Sequence, residues 1–438
     1  MVYHFMTVEG MALATGRHAV FNHALLNALF LHPNTDKNET FAMLSNSEVM
    51  AAERRMKKRT GRAYQDLNPC GKVAQNPFST FADILFVHGC YGNNLLHPEA
   101  RLPLAKAFGL EFAVKPGGLE IEPYYTDMMF SNLFQWTYSR PQPSYKRHVK
   151  ERTRNITSLC HEHYLNKSRN NGNTVDVRGT GLVDYVVQIR TFRDVVGATS
   201  TEHFMGSEQM TTFRTCAFKA VMEAQSRVSE SVISGNGNSN IKSDGKAPPM
   251  PICVYVTSDD PAVANHITQS LEDHEGFEGS VVSHSEIRDD WHKPKESLSL
   301  SLHDDKIDDW HSQSLMDRHK GAVGTDTELS ARPEFLDWMV LSEATGALFT
   351  HGSTFGTSAR YRKGYFNSIH DLGLDKDQKT NEFTCELAHD RDHLCEACTQ
   401  LGDKCLSEAR EVCARPKPST PFTPPKPPDP SNTTTLVN

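Results

Sequence analysis

The chain has 438 residues, of which 38% are hydrophobic and 23% are charged, and its formal net charge is −8. This length exceeds what one ordinary hydrophobic core supports, and it predicts two or three folding units. The negative charge argues against a nucleic-acid-binding protein, which needs a basic surface. The most apolar stretch, Ala19 to Leu31, contains polar residues and is shorter than the ~20 apolar residues that span a bilayer. The N-terminus also lacks the pattern of a secretory signal peptide, so we expect neither a signal nor a membrane anchor in this sequence.

Residues 1–175 are predicted to form an N-terminal α/β domain. Apolar runs at residues 81–87 and 110–114 are typical of strands, and residues 102–108 have the pattern of a short helix. Residues 166–173 are rich in Asn and carry a glycine, which predicts a linker to the second half.

Residues 176–384 show a clearer α/β pattern, in which apolar runs alternate with helical periodicity. The predicted strands are residues 182–189, 252–257 and 347–350. The predicted helices are residues 210–228, 261–271 and 334–344, and the predicted polar loops are residues 235–251 and 284–330. Strands that alternate with helices in this order predict a doubly wound, mostly parallel sheet.

The C-terminal part is marked by cysteine and then by proline. Five of the ten cysteines lie in residues 385–415, which we expect to form a Cys-rich cap. In an oxidising lumen such a cluster forms disulfides; the alternative is a zinc site around Cys395, Cys398 and His393. We favour disulfides because no second Cys-x-x-Cys follows. Four glycosylation sequons, at Asn38, Asn155, Asn166 and Asn432, also fit a lumen. Residues 416–438 are predicted to be a disordered Pro-rich tail.

Polar side chains follow the predicted strands, at the edge where open α/β sheets bind ligands. Arg190 follows the first strand, and a guanidinium there can hold phosphate oxygens with two parallel hydrogen bonds. The alternative is that Arg190 pairs with a structural carboxylate such as Asp194. After the second strand, Asp260 before Pro261 is typical of a helix N-cap, which leaves Asp259 as the candidate for a polar site.

The third predicted strand is followed by the sequence Thr-His-Gly-Ser-Thr-Phe-Gly at residues 350–356. A helix that begins there offers backbone N–H groups, the hydroxyls of Ser353 and Thr354, and close approach at Gly352 and Gly356. This combination suits a pyrophosphate, and a hydroxyl that caps the helix is compatible with it. No Walker-type lysine follows, which argues against a nucleoside triphosphatase.

The same segments resemble the GDP-fucose-dependent fucosyltransferase superfamily. Residues 336–356, with Leu-Asp-Trp-Met-Val-Leu-Ser-Glu-Ala before the strand and Ser-Thr-Phe-Gly after it, are similar to the plant xyloglucan-type α1,2-fucosyltransferases. Residues 257–261, Thr-Ser-Asp-Asp-Pro, resemble a strand end of the α1,6-fucosyltransferases. The clustered cysteines are again similar to the plant enzymes. The resemblance covers residues 181–405 and implies a GT-B fold of two Rossmann-like domains, the first of which helps to hold the acceptor.

The resemblance also implies roles for individual residues of a GDP-fucose site. Arg190 would bind the β-phosphate and stabilise the leaving GDP, and Gln188 stands where many relatives place a histidine near the guanosine. Asp337 would accept hydrogen bonds from the N1–H and the exocyclic amine of guanine. Ser353 and Thr354 would lie at the phosphates. The donor-binding set further includes Asp259, Gly352, Phe355 and Gly356.

The implied reaction is an inverting, metal-independent transfer of fucose from GDP-fucose to a hydroxyl of a glycan acceptor. Glu202 lies near the position of the proposed base in the α1,6 enzymes, and His203 and Asp194 are its rivals. We expect no metal and no other cofactor, because no Asp-x-Asp motif is present. The expected acceptor is a cell-surface or wall polysaccharide or a glycoprotein glycan, with no nucleic-acid partner, and the implied location is the Golgi lumen.

Three other functions stay open at this point. A protein with this fold could bind a glycan or nucleotide without catalysis, since fold alone does not establish function. A transferase could use another nucleotide sugar, although uracil lacks the pair of donors that Asp337 would contact. A protein O-fucosyltransferase would differ only in its acceptor.

Overall fold

The structure is a computed structural model that describes a large part of the chain. The described residues are 2–15, 19–21, 25–33, 40–43, 47–48, 51, 54, 98–110, 124–170, 183–190, 207–235, 251–287, 333–350, 353–368, 371–376, 383–387, 391–405 and 407–414.

A six-stranded sheet organises the described part of the chain. Its strands are β1 (Tyr185–Ile189), β2 (Ile252–Ser258), β3 (Gly279–Ser283), β4 (Gly346–Thr350), β5 (Leu372–Lys376) and β6 (Phe383–Leu387). The strand order is β3-β2-β1-β4-β5-β6. Neighbours pair in parallel except β5 with β6, which are antiparallel. This is the order of a doubly wound dinucleotide-binding sheet.

The central strands are apolar on both faces because helices cover both faces. All five residues of β1 are buried, and β2 is buried along its length except at its last residue. Continuous burial of this kind is typical of parallel strands between two helical layers. The α/β fold class predicted from the sequence is therefore confirmed for residues 183–387, within the described ranges.

The described helices fall on both sides of this sheet. They are α1 (Val2–Thr15), α2 (Leu25–Leu29), α3 (Pro98–Phe108), α4 (Tyr124–Thr137), α5 (Pro143–Asn170), α6 (Ser207–Gly235), α7 (Pro261–Glu272), α8 (Pro333–Glu343), α9 (Thr354–Lys363), α10 (Arg391–Leu401) and α11 (Ser407–Ala414). Helices α6 and α7 pack with Val187 and Val254 on one face. Helices α5, α8 and α9 pack with Val186 and Tyr255 on the other face.

The helices that precede the sheet extend this second layer. Phe30 and Tyr138 contact the ring of Trp338 in α8, with centroid distances of 6.3 and 5.4 Å. Both contacts are edge-to-face, the arrangement that aromatic rings favour in cores. One hydrophobic cluster thus joins the N-terminal helices to the sheet. The division into domains at residues 175/176 and the two-domain GT-B arrangement stay predictions.

Most predicted helices and strands that lie within the described residues are confirmed, whereas one strand start and one linker are corrected. The strands predicted at 252–257 and 347–350 and the helices at 102–108, 210–228, 261–271 and 334–344 each match an observed element to within a residue or two at the ends or lie inside a longer one. The first strand begins at Tyr185 rather than at residue 182. The predicted linker is wrong for residues 166–170, which form the last turn of α5. Residues 81–87, 111–114 and most of the predicted loops lie outside the described residues.

Four disulfides hold the described cysteines, so the disulfide prediction is confirmed over the zinc alternative. Cys395–Cys413 joins α10 to α11, and Cys398–Cys405 joins α10 to the turn that follows it, with Cα–Cα distances of 5.4 and 5.1 Å. Cys160–Cys253 joins α5 to β2, and Cys216–Cys385 joins α6 to β6. Cys385 lies in strand β6 of the sheet, and the Cys-rich cap of residues 385–415 stays a prediction. Among the described residues no group of three or more His, Cys, Asp or Glu side chains is placed to hold a metal.

Within the described ranges, every helix is too short or too polar to cross a membrane.

Candidate functional site

The carboxyl ends of β1 and β4 form the topological switch point of the sheet. These strands are neighbours, but the chain leaves β1 towards α6 on one face and β4 towards α9 on the other. Connections to opposite faces open a crevice at this edge of a doubly wound sheet, and such sheets bind their ligands there. The backbone N–H of Arg190 donates to the Thr350 hydroxyl at 3.0 Å and so joins the two strand ends.

Arg190 is held at this crevice by Asp259 from the end of β2. The distance from Arg190 Nε to Asp259 Oδ2 is 3.6 Å. The arginine side chain is 31% exposed, whereas the Asp259 side chain is only 8% exposed. A largely buried carboxylate thus orients a guanidinium that still reaches solvent at the crevice. Asp194, the partner considered from the sequence, lies outside the described residues.

Asp260 has the capping role that the sequence predicts for it. Its Oδ1 accepts from the backbone N–H of Val263 at 3.5 Å, at the start of α7. The Ser258 hydroxyl donates to Asp259 Oδ1 and accepts from the N–H of Asp260, at 3.3 and 3.1 Å. Both carboxylates of the Asp-Asp pair are therefore committed to contacts within the protein.

The N-terminus of α9 faces the same crevice. Ser353 is its N-cap, and the Ser353 hydroxyl accepts from the N–H of Gly356 at 3.3 Å. Thr354 is exposed and Phe355 is half-buried in the first turn. A Cβ atom at Gly356 would lie 2.6 Å from Phe349 Cβ, so only glycine lets α9 approach β4 this closely. Gly352 lies outside the described residues.

Gln188 lies next to this helix start and is buried without a hydrogen-bond partner for its carbonyl. The residue is 4% exposed, and Oε1 has no partner among the described residues. Its strand register places it between Thr257 and Phe349. A Cβ atom at Gly356 would lie 2.9 Å from this oxygen. Leaving such a group unsatisfied costs about 1–3 kcal/mol, so this position favours a ligand or water that completes it.

Asp337 lies deeper, in a buried network under the same face of the sheet. Its Oδ1 accepts from Arg152 Nη2 and from the Tyr255 hydroxyl, each at 2.8 Å, and its Oδ2 accepts from the Thr257 hydroxyl at 3.0 Å. Burial, reinforced by the Asp337 charge, raises the pKa of Tyr255 well above its usual value, so the phenol stays protonated and donates. The predicted contact of Asp337 with guanine stays a prediction, and it would compete with this network.

The three candidates for the catalytic base, Asp194, Glu202 and His203, all lie outside the described residues. Their roles stay predictions. Sequence reasoning missed Arg152, Tyr255, Thr257 and Thr350. Arg152 precedes Asp337 by 185 positions, and a local sequence pattern does not predict so distant a partner.

Comparison with known proteins finds similarity to solved structures but not to known sequences. No protein-family model matches the chain, and no curated protein sequence is detectably similar to it. Among solved structures, a mutant of FUT1 from Arabidopsis thaliana in complex with GDP aligns with 86% of this chain and 68% of its own, at 13% identity and a TM-score of 0.39.

Proposed function

We propose that this chain is a glycosyltransferase that binds a GDP-sugar at the switch point and transfers fucose to a hydroxyl of a glycan. The observation that carries the proposal is that Arg190 is hydrogen-bonded to Thr350, three residues before the Ser353 N-cap of α9. A guanidinium and a helix N-terminus both favour a diphosphate, and both stabilise the negative charge that develops on it as the sugar leaves. The choice of GDP and of fucose rests on the resemblance of residues 336–356 to fucosyltransferases.

The proposed reaction proceeds with inversion and without a metal. The acceptor oxygen forms a bond to the anomeric carbon as the bond to the GDP oxygen breaks. The acceptor proton goes to a base, for which Glu202 is the first candidate and His203 and Asp194 are the rivals; such a base is typically worth ~10²–10⁴ in rate. Asp259 forms an ion pair with Arg190, and Asp260 caps α7. Both carboxylates of this pair therefore have partners within the protein.

The proposed location is an oxidising compartment such as the Golgi lumen. Disulfides form and persist in oxidising compartments and are rare in the cytosol. The four disulfides of the described residues support this placement. A cell-surface or wall polysaccharide, a glycoprotein glycan and a protein hydroxyl are the candidate acceptors.

The second candidate function is binding of a nucleotide or glycan without catalysis. Gln188 favours it, because an amide stands where many of the resembled enzymes have a histidine. A non-catalytic protein would bind GDP without turning over GDP-fucose, so donor turnover in the presence of glycan acceptors separates the two functions.

The first test is calorimetric titration of the purified chain with GDP and with UDP, in EDTA. We expect selective GDP binding that Arg190→Ala weakens by roughly tenfold to a hundredfold, because hydrogen bonds to charged groups contribute about 1.5–3 kcal/mol. Arg169→Ala, an exposed arginine at the far end of α5, serves as the control. Equal affinity for GDP and UDP, or no effect of Arg190→Ala, would contradict the proposal.

A further inference from the structure

A stripe of exposed cations lies on the first half of α5, outside the site described above. Lys146, Arg147, Lys150 and Arg154 are all exposed and fall within about 100° of the helix circumference. The stripe extends over about 12 Å along the helix axis. Among the residues that the structure describes, none of the four takes part in an ion pair. Glu151, at the margin of the stripe, is the one acidic residue in this half of the helix.

The opposite side of the helix fixes the direction in which the stripe faces. Tyr145, Val149, Arg152 and Ile156 are buried against the sheet layer. The stripe cations therefore project away from the core, on the side that meets solvent. This surface is basic, whereas the chain as a whole has a net charge of −8.

The stripe lies at the same edge of the sheet as the candidate donor site. Cys160 is bonded to Cys253 near the start of β2, and Lys167 contacts the carbonyl of Phe277 before β3 begins. The second half of α5 thus lies towards the amino ends of the strands. At its other end, the Tyr145 hydroxyl donates to the carbonyl of Phe335 at 2.6 Å, in the first turn of α8. Helix α8 lies between the parallel strands β3 and β4, and such a helix begins at the carboxyl edge of the strands. The stripe therefore begins at that edge and runs towards the level of Tyr255 in the middle of β2.

We propose that the stripe formed by Lys146, Arg147, Lys150 and Arg154 binds an acidic glycan and that the acceptor of the proposed transferase is a glycan with carboxylate or sulfate groups. The proposal rests on the proposed function for the acceptor role. Four cations with i, i+4 spacing offer successive contacts to a chain of anionic groups. Their place at the carboxyl edge lets a bound polysaccharide reach the crevice where the donor sugar would be held.

An acidic glycan fits this surface better than the other polyanions. The disulfides indicate an oxidising compartment, whereas nucleic acids and the anionic lipid leaflet that attracts basic segments are found on the cytoplasmic side. Neutral glycans would gain nothing from four cations that have no ion-pair partner within the described ranges.

The test measures binding of the full chain to polygalacturonate, dextran sulfate and neutral dextran at low and physiological salt. We expect binding to one or both acidic polymers, weakened by salt, and no binding to neutral dextran. The pair of acidic polymers distinguishes carboxylate from sulfate as the recognised group. Lys146→Gln with Lys150→Gln should weaken the binding by roughly fivefold to tenfold, because exposed charge pairs each contribute modestly.

The matched control is Lys106→Gln with Arg169→Gln, which removes the same charge from two exposed cations outside the stripe. The control variant should bind as the wild-type chain does, and both variants should keep the wild-type melting temperature. Equal weakening in the two variants, or unchanged binding in the stripe variant, would overturn the proposal. Binding through the stripe to phosphatidylserine vesicles but to neither acidic polymer would also overturn it.

GDP titration of the stripe variant separates this inference from the proposed function. The affinity for GDP should stay unchanged, because among the described residues none of the four has a hydrogen bond or ion pair with Arg190 or α9. Wild-type GDP binding without any binding of an acidic polymer contradicts the stripe proposal alone. Stripe-dependent polymer binding without GDP binding contradicts the proposed function and leaves a glycan-binding surface.

Discussion

The protein contains two arginine–aspartate pairs in different environments, one buried and one at the crevice. In Arg152–Asp337 the arginine Nη2 lies 2.8 Å from the carboxylate, and the two side chains are 2% and 8% exposed. Arg190–Asp259 has the longer distance of 3.6 Å, and its arginine is 31% exposed. The first pair also has Tyr255 and Thr257 as partners of its carboxylate. Enclosure and complete hydrogen bonding mark the structural pair, whereas exposure at the switch point marks the pair that can serve a ligand.

The largest expected effect comes from breaking the enclosed pair. Asp337→Ala leaves the Arg152 guanidinium buried without its counter-charge, which typically costs about 3–5 kcal/mol in the free energy of unfolding. Urea unfolding followed by circular dichroism measures it. Asp259→Ala is the comparison and should cost less than about 1 kcal/mol, since its arginine can turn to water.

A double-mutant cycle with Arg152→Ala sharpens this result. Removal of both charges should cost clearly less than the sum of the single losses, because no unpaired buried charge remains. Additive losses would show that the two side chains act independently. A loss below about 1 kcal/mol for Asp337→Ala would mean that the network is not structural.

Glu9 in α1 extends the comparison, because it is buried and has no ion pair in the described part of the chain. It is 3% exposed, and its Oε1 has no hydrogen-bond partner among the described residues. Desolvation raises the pKa of Glu9 from 4.5 to about 7. The folded chain therefore holds a proton that the unfolded chain releases, so the free energy of unfolding falls as the pH rises from about 4.5 through about 7.

Glu9→Gln should remove this pH dependence. The variant is expected to be more stable than the wild-type chain at pH 8 by up to about 3 kcal/mol and nearly equal to it at pH 4.5, by linkage. Urea unfolding at both pH values measures the difference. A stability gain that is the same at the two pH values would show that the carboxyl group does not titrate in this range.

Substitutions in the crevice pair, Arg190–Asp259, should change ligand affinity more than the free energy of unfolding. Arg190→Ala should change the free energy of unfolding by less than about 1 kcal/mol, while its effect on GDP affinity is the large one. Arg190→Lys keeps the charge but loses the planar fork, so it should recover only part of the affinity. Full recovery by lysine would indicate a simple charge requirement, without bidentate contact to phosphate.

The sequence predicted the parts of this arrangement that depend on local pattern. The apolar runs of β2 and β4, and the polar residues that follow them, were visible because parallel strands are buried on both faces. β3 was missed because Gly-Ser-Val-Val-Ser is short and only partly apolar, and β6 was missed because its cysteine suggested a cap. Arg152 and the unsatisfied carbonyl of Gln188 depend on distant contacts, which no local periodicity encodes.

The smallest expected effect concerns Gln188, whose buried carbonyl has no hydrogen-bond partner in the part of the chain that the structure describes. Gln188→Met keeps the volume and removes the amide, so the free energy of unfolding should stay equal or rise by up to about 1 kcal/mol. If a ligand completes the carbonyl, the same change should lower GDP affinity by about threefold to tenfold, as expected for one hydrogen bond. Urea unfolding and calorimetry of one preparation give both values.

Gln225→Met is the matched control for this prediction. Gln225 is 3% exposed, and its Oε1 accepts from the N–H of Glu278 at 3.1 Å. The control should lose about 1–3 kcal/mol of stability, because it leaves that N–H without an acceptor, and GDP affinity should not change. If Gln188→Met is destabilised as much as Gln225→Met and binds GDP normally, its carbonyl is satisfied within the folded protein. The polar groups of the crevice would then reduce to Arg190, Asp259 and the start of α9.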